Sequence, residues 1–376
     1  MGSNSDLTIL LTLKDRALFT TRWMDYANCS LFPFKVLIAD GGSDESVPAM
    51  LSKKTRFPNV DYEYVRYPYD KSYSDYYAKI YDALGRVRTR FVAMADNDDF
   101  FIADTMNEAV QFLLVNPDYV SCGGQGAIFW IGPSPLKEYE NRLYGNNIDW
   151  KCAQMRSITA DTARERLRSS FEPLYYDVKR TEDARKQFEI VRELNLNDLF
   201  LSEFLIQFLT AIAGKTKQLK HIYMARQRNS PGSSGGAHEE KYGTWFGRML
   251  VESWSDDFAK FVKTVSGCLA AADGISIDEA KDCVISTYRN HVAPELLSNI
   301  LDEPSVTMSM PIVASIVRRL VSLPEHSISK KLMRKLYRSL RWISSDAVYG
   351  EKVFGAPVLD SRKDFQQIVE FLARPQ

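Results

Sequence analysis

Two short apolar runs early in the chain each end abruptly on carboxylates. Residues 34–39 lead into Asp40-Gly41-Gly42-Ser43-Asp44, and residues 91–95 lead into Asp96-Asn97-Asp98-Asp99. Apolar runs of this length, bounded by turn residues, read as buried strands of a parallel sheet. Carboxylates crowded at the ends of such strands repel one another and add nothing to a fold by themselves. A divalent cation joining them reverses that balance, and Mg²⁺ or Mn²⁺ takes oxygen ligands. A solvated acidic turn capping a helix is the competing explanation. The tetrad together with the upstream Asp-Gly-Gly-Ser-Asp favours a metal and nucleotide site at one edge of a sheet.

The surrounding pattern supports such a sheet. Residues 7–13 form another apolar run, residues 17–29 carry aromatic side chains at helical spacing, and residues 60–67 alternate like a strand. Helices are expected over residues 45–52 and 72–84. Strands alternating with helices define βαβ units, and their crossovers are right-handed. Gly123, Gly124 and Gly126 lie between two strand-like stretches. No helix-opening sequence follows them, so they mark a bulged strand rather than a dinucleotide fingerprint. Residues 159–193 are charged and read as helical, residues 198–213 as an apolar helix ended by Gly214, and residues 220–224 as a late strand. Residues 229–237, rich in glycine and serine, read as a loop. Beyond Tyr242 the pattern is almost wholly helical. The expected division is therefore a sheet-based domain over residues 1–240 and a helical C-terminal region over 241–376.

Composition excludes several functions. The chain has 376 residues, enough for two domains, and its 48 acidic residues balance its 48 basic ones. No overall charge argues for nucleic acid as a partner. The basic residues between 318 and 341 fit the solvated face of an amphipathic helix better than a membrane-surface segment. Five dispersed cysteines show no zinc spacing and fit a reducing compartment. No apolar run approaches the length of a membrane span, so the expected location is cytoplasmic.

The order of these motifs resembles the GT-A glycosyltransferases, above all the large family two and its relatives in bacterial surface-polysaccharide synthesis. Leu13-Lys14-Asp15-Arg16 stands where that family has a turn after its first strand. Ala39-Asp40-Gly41-Gly42-Ser43-Asp44 is similar to its Asp-Asp-Gly-Ser-Thr-Asp, and Ala95-Asp96-Asn97-Asp98-Asp99 to its Leu-Asp-x-Asp-Asp. The similarity spans about residues 7–228. It implies a Rossmann-like, mainly parallel sheet flanked by helices that binds a nucleoside-diphosphate sugar. It also implies an inverting transfer to a glycan or lipid-linked hydroxyl, Mn²⁺ or Mg²⁺ as cofactor, and room for peripheral contact at the inner face of a membrane. The oligomeric state is left open.

The resemblance also implies roles for particular residues. Asp40 would meet the nucleobase, Asp96 the ribose side, and Asp98 the metal, with Asp96 as a companion ligand. Arg16 and Lys79 are candidate phosphate contacts, as are Arg226 and Arg228, which occupy the place of the family's Arg-x-His. The expected histidine is missing there, and His238 is the candidate replacement as a metal ligand. An inverting transferase needs a general base. The family's Glu-Asp pair is not repeated literally, which leaves two candidates, Asp198 at the start of the apolar helix and Glu203 further in. Two rivals stay in view. A sugar nucleotidyltransferase uses similar aspartates but carries a glycine-rich loop after its first strand, which Leu13-Lys14-Asp15-Arg16 is not. A non-catalytic binding module of the same fold would tolerate loss of the carboxylates, which are intact here.

Overall fold

The computed structural model describes residues 6–132, 143–145, 148–169, 174–227, Ser230, His238, Lys241, 245–302 and 361–374. The first part alternates strictly: β1 (Leu7–Leu13), α1 (Ala17–Cys29), β2 (Lys35–Asp40), α2 (Ser46–Leu51), β3 (Tyr62–Arg66), α3 (Tyr73–Arg86) and β4 (Phe91–Asp96). Every residue of β1 is buried, which is why it reads as an unbroken apolar run. Ser72 starts α3 with a reciprocal capping box to Asp75.

The second part is less regular. It comprises β5 (Asp99–Phe101), α4 (Ala103–Val115), β6 (Tyr119–Ile131), β7 (Ile148–Ala153), α5 (Ala163–Arg168), β8 (Val178–Arg180), α6 (Thr181–Leu194), α7 (Leu199–Ala213) and β9 (Lys215–Gln227). Four helices follow: α8 (Trp245–Met249), α9 (Glu252–Asp273), α10 (Ile277–Asp302) and α11 (Ser361–Leu372). The charged residues 159–193, expected to be helical with an interruption at Pro173, contain the short strand β8 between α5 and α6. Three residues are too few to impose a period of two on a helical background.

All nine strands join one sheet in the order β3-β2-β1-β4-β8-β6-β9-β5, with β7 on β6. Strands β1 to β4, β6 and β9 run one way, and β5, β7 and β8 oppose them. The sheet is thus mainly parallel and flanked by helices, as expected. The glycines of β6 sit where its register against β9 shifts, between Gly123 and Gly126. A side chain at Gly124 would strike the His221 carbonyl of β9, so the glycine permits the close approach of the two strands.

The main core extends beyond the sheet. It takes in Phe261, Val265 and Leu269 of α9 and Cys283, Val284 and Tyr288 of α10. Helix α7, buried along most of its length, packs against α5, α6 and α9. A second cluster joins α11 to the far end of the sheet, where Phe365, Ile368, Phe371 and Leu372 meet Tyr26, Phe100, Phe129 and Ile222. Asp364 of α11 accepts a 3.1 Å bond from the Ile222 amide of β9. Among the described residues no helix is long and apolar enough to cross a membrane.

Candidate active site

Strand order brings the two acidic motifs together. β1 lies between β2 and β4, with Leu13 opposite Asp40 and Thr12 opposite Asp96. The two aspartates therefore end strands two places apart, a separation of about 10 Å at the usual strand spacing. Ligands of open α/β sheets bind at this carboxyl edge.

On the β2 side the loop is fastened tightly. Asp40 is buried; its Oδ1 accepts from the Gly42 amide at 2.8 Å, and its Oδ2 accepts from the Tyr64 hydroxyl at 2.7 Å and Arg66 Nη1 at 3.0 Å. Asp15 Oδ1 accepts from the amides of Ser43 at 2.6 Å and Asp44 at 3.2 Å. A side chain at Gly41 would collide with the Asp70 carboxyl, and one at Gly42 with the Asp15 backbone nitrogen. Lys79 is buried beneath this loop. Its Nζ donates to the Leu13 carbonyl at 2.8 Å and to Asp70, and burial pushes its pKa down despite Asp70. The candidate phosphate contact therefore holds the floor of the loop.

On the β4 side, Asp96, Asp98 and Asp99 each offer one oxygen, and these oxygens lie within 4.8 Å of one another. Asp99, which the sequence reading left out of the ligand set, is carried into the group by β5. Three carboxylates at this separation suit a hard divalent cation with oxygen ligands. Asp96 accepts from the Tyr176 hydroxyl at 2.6 Å and from the Thr12 hydroxyl at 3.2 Å. Burial, then repulsion from Asp98, raises its pKa. Burial raises Asp99 much further, the Arg226 attraction notwithstanding. Asp98 goes the other way: burial alone would raise it, but Arg16 and the Ser230 hydroxyl hold it below the usual carboxylate range. Arg16 reaches Asp98 Oδ2 with Nη1 and Nη2, both at 3.2 Å, and Ser230 Oγ donates to the same oxygen.

Arg226 faces the same group. It stands opposite Asp99 in the β5–β9 register, with Nε 3.2 Å from Asp99 Oδ2, Nη2 3.2 Å from the Tyr176 hydroxyl and the guanidinium 4.7 Å above the Tyr176 ring. Arg228 and residues 229 and 231–237 lie outside the described residues.

The two base candidates are in different circumstances. Asp198 caps α7, accepting from the Leu201 amide at 2.8 Å, and both of its oxygens are bound by Arg248. Burial would raise this carboxyl, but His238 and Arg248 hold it down at about 2. His238 is buried 3.4 Å from Asp198, between the rings of Tyr73 and Phe200, and is not among the three ligand residues of the acidic group. Glu203, one turn further along α7, is exposed, although protein atoms crowd around its carboxyl. That enclosure, then attraction from Arg226 against repulsion from Asp96, leaves its carboxyl pushed up to about 7.

Tyr176, Arg22, Arg248, Ser230 and Tyr64 also belong to this site or its walls, and sequence reasoning missed them. Arg66 ends the third strand at the sheet edge that holds Asp40, so its position at a strand terminus was the one available signal.

No family model and no curated protein matches the sequence. Among solved structures, the chain is similar to S. aureus TarS, with a TM-score of 0.49 at 12% identity over 89% of this chain and 52% of that one, so it spans about half of that structure's length. It is similar also to residues 1–349 of TarS in complex with UDP-GlcNAc, with a TM-score of 0.48 at 12% identity over 90% and 87% of the two chains. A third likeness is the mannosyltransferase PcManGT of Pyrobaculum calidifontis in complex with GDP-Man and Mn²⁺, with a TM-score of 0.42 at 11% identity over 90% and 86%. At these identities and scores nothing about substrate passes from those proteins to this chain.

Proposed function

We propose that this chain is a GT-A-type glycosyltransferase that moves a sugar from a nucleoside diphosphate to an acceptor hydroxyl with inversion. One observation carries the reading: Asp96, Asp98 and Asp99 offer oxygens within 4.8 Å of one another at the carboxyl edge of the sheet, two strands from the buried Asp40. A base that titrates near neutrality, beside a cation-competent acidic group at a sheet's carboxyl edge, is what displacement at a sugar carbon requires.

In this reading Asp40, with Tyr64 and Arg66, forms the nucleobase end of the donor site. About 10 Å separates Asp40 from Asp96 at two strand spacings, which suits a nucleoside laid across β1. Asp96, Asp98 and Asp99 would hold Mn²⁺ or Mg²⁺, which when bound neutralises the diphosphate as a leaving group. Arg16 and Arg226 face the same place and add donors for phosphate oxygens. Glu203 accepts the proton of the acceptor hydroxyl. The acceptor oxygen forms its bond to the anomeric carbon as the carbon–phosphate oxygen bond breaks, and the nucleoside diphosphate leaves with that electron pair. Asp198, already bound on both oxygens, anchors α8 and His238 to α7 beside the base.

The acceptor is a glycan or lipid-linked hydroxyl, and the setting is bacterial surface-polysaccharide synthesis at the inner face of the membrane. Residues 1–240 carry the donor site, and α9 of the helical region that follows braces α7. The test is release of nucleoside diphosphate from a panel of UDP- and GDP-sugars with Mn²⁺ and candidate acceptors. Pyrophosphate formed from a nucleoside triphosphate and a sugar phosphate would replace this reading with a nucleotidyltransferase. No turnover and no nucleotide binding would leave a non-catalytic module.

A further inference from the structure

Three arginines stand against the three carboxylates. Arg16 donates twice to Asp98, and Arg226 lies 3.2 Å from Asp99. Arg22, fully buried on α1, donates from Nη2 to the Asp98 carbonyl at 3.2 Å with its guanidinium 4.9 Å above the Phe100 ring. Arg16 and Arg226 thus set positive charge directly against the carboxylates of the acidic group.

The three arginines are not equally committed. Arg22 is anchored by Gln227 Oε1 at 2.6 Å and the Leu143 carbonyl at 3.0 Å, and Arg226 by the ring and hydroxyl of Tyr176. Arg16 spends its two terminal nitrogens on Asp98 and, more weakly, on Asn97 at 3.4 Å. Its side chain is 15% exposed and rests on the Phe19 face at 4.1 Å. Its backbone, by contrast, is fixed: Asp15 and Arg16 both take left-handed conformations at φ 57° and 59°, and the Asp15 carboxylate ties the turn to the Ser43 and Asp44 amides. Two consecutive non-glycine residues in that region are held by their surroundings, and such strain gathers at ligand sites. The turn thus aims a guanidinium whose own partner can be exchanged.

We infer that Arg16 is the resident counter-cation of the acidic group, a conclusion that rests on the donor-site reading above. Arg16 holds Asp98 Oδ2 until a nucleoside diphosphate offers its planar fork a better anion. Asp98 is then released to a divalent cation. Cation and diphosphate therefore bind as a coupled pair, each weakly when alone, and the coupling is reciprocal. A site whose carboxylates were free of arginine would take the cation alone more tightly, and only the direct attraction of cation and diphosphate would remain to couple them.

The test is calorimetric titration of the full chain with Mn²⁺ alone, uridine 5′-diphosphate alone, and Mn²⁺ with the diphosphate present, with guanosine 5′-diphosphate as a second probe. Wild type is expected to bind Mn²⁺ about tenfold or more tightly when the diphosphate is present, within the usual range of coupling. Arg16→Gln is expected to bind Mn²⁺ alone more tightly than wild type and to show a smaller gain when the diphosphate is present. Arg16→Lys keeps a charge without the fork and is expected to fall between. Asp98→Asn in the Arg16→Gln background removes the gain. Unchanged or weaker binding of Mn²⁺ alone by Arg16→Gln, with its melting temperature near wild type, overturns the inference, as does equal Mn²⁺ affinity of wild type with and without nucleotide. If neither diphosphate binds any of these proteins, the donor reading fails and the coupling with it. The comparison of Mn²⁺ alone still judges whether Arg16 guards Asp98.

Discussion

Both carboxylate oxygens of Asp198 are held by Arg248, with Nε on Oδ2 at 2.9 Å and Nη2 on Oδ1 at 2.6 Å. A carboxylate gripped this way has little basicity left for an acceptor proton, whereas Glu203 sits one turn further along the same helix with its carboxyl near neutrality.

Glu203→Gln is expected to lower transfer by about 100-fold or more, the usual worth of a general base, while nucleotide binding holds. Wild-type turnover should climb as pH rises through about 7, because the base acts only when ionised. The variant should lose that inflection. A pH–rate profile of both proteins checks this, and an unchanged inflection in Glu203→Gln would assign it to another group.

Asp198→Asn should show its effect in stability. The folded-state carboxyl, at about 2, lies below its ordinary 3.8, so the unfolded chain binds the extra proton between those values. Stability from Asp198 is present above about pH 4 and disappears as pH falls through about 2, amounting to about 2 kcal/mol. Urea melts between pH 2 and 5 should show a shallower acid slope in the variant. Glu203 acts in the opposite sense: its raised value makes stability fall as pH rises from 4.5 through about 7.

Asp40→Ala should cost nucleoside diphosphate affinity about 1.5–3 kcal/mol, the usual loss for a hydrogen bond to a charged group. It also strips Tyr64 and Arg66 of a shared acceptor. Arg66→Ala is the comparison. If the two effects in a double-mutant cycle add without coupling, the ion pair does not shape the base subsite.

Lys79→Met should destabilise the fold by about 3–5 kcal/mol, because it leaves the Asp70 carboxylate buried without its cation. Lys79→Met with Asp70→Asn should recover part of that loss. Chemical denaturation of Lys79→Met, Asp70→Asn and the double variant checks it. Additive losses would mean that the pair contributes nothing as a pair.

Much of the first half was legible in the sequence because each strand there is a buried apolar run. α1 spans Ala17–Cys29, the residues its aromatic spacing marked. β5 and β8, three residues each, left no pattern, and the antiparallel β7 follows a stretch without strand-like alternation. Asp40, Asp96 and Asp98 were legible as types in a place. What they touch was not, because Tyr176, Arg22 and Arg248 arrive from distant segments that only folding brings together. Asp198 illustrates the gap: its helix-start position was readable, but the arginine that neutralises it comes from α8.

Helix α11 backs the acidic strand from the end of the described chain. Phe371 packs on Phe100, the neighbour of Asp99, and on Tyr26, whose hydroxyl donates to the Phe101 carbonyl at 3.0 Å. During synthesis the local βαβ units emerge first and can pair at once, whereas this support waits for a helix far later in the chain. The chain therefore carries Asp96, Asp98 and Asp99 long before Phe371 can brace the strand beside them. Chains that stop before residue 361 are expected to fold β1 to β4 yet fail to retain nucleotide, so the order of the acidic group depends on contacts from a distant part of the sequence.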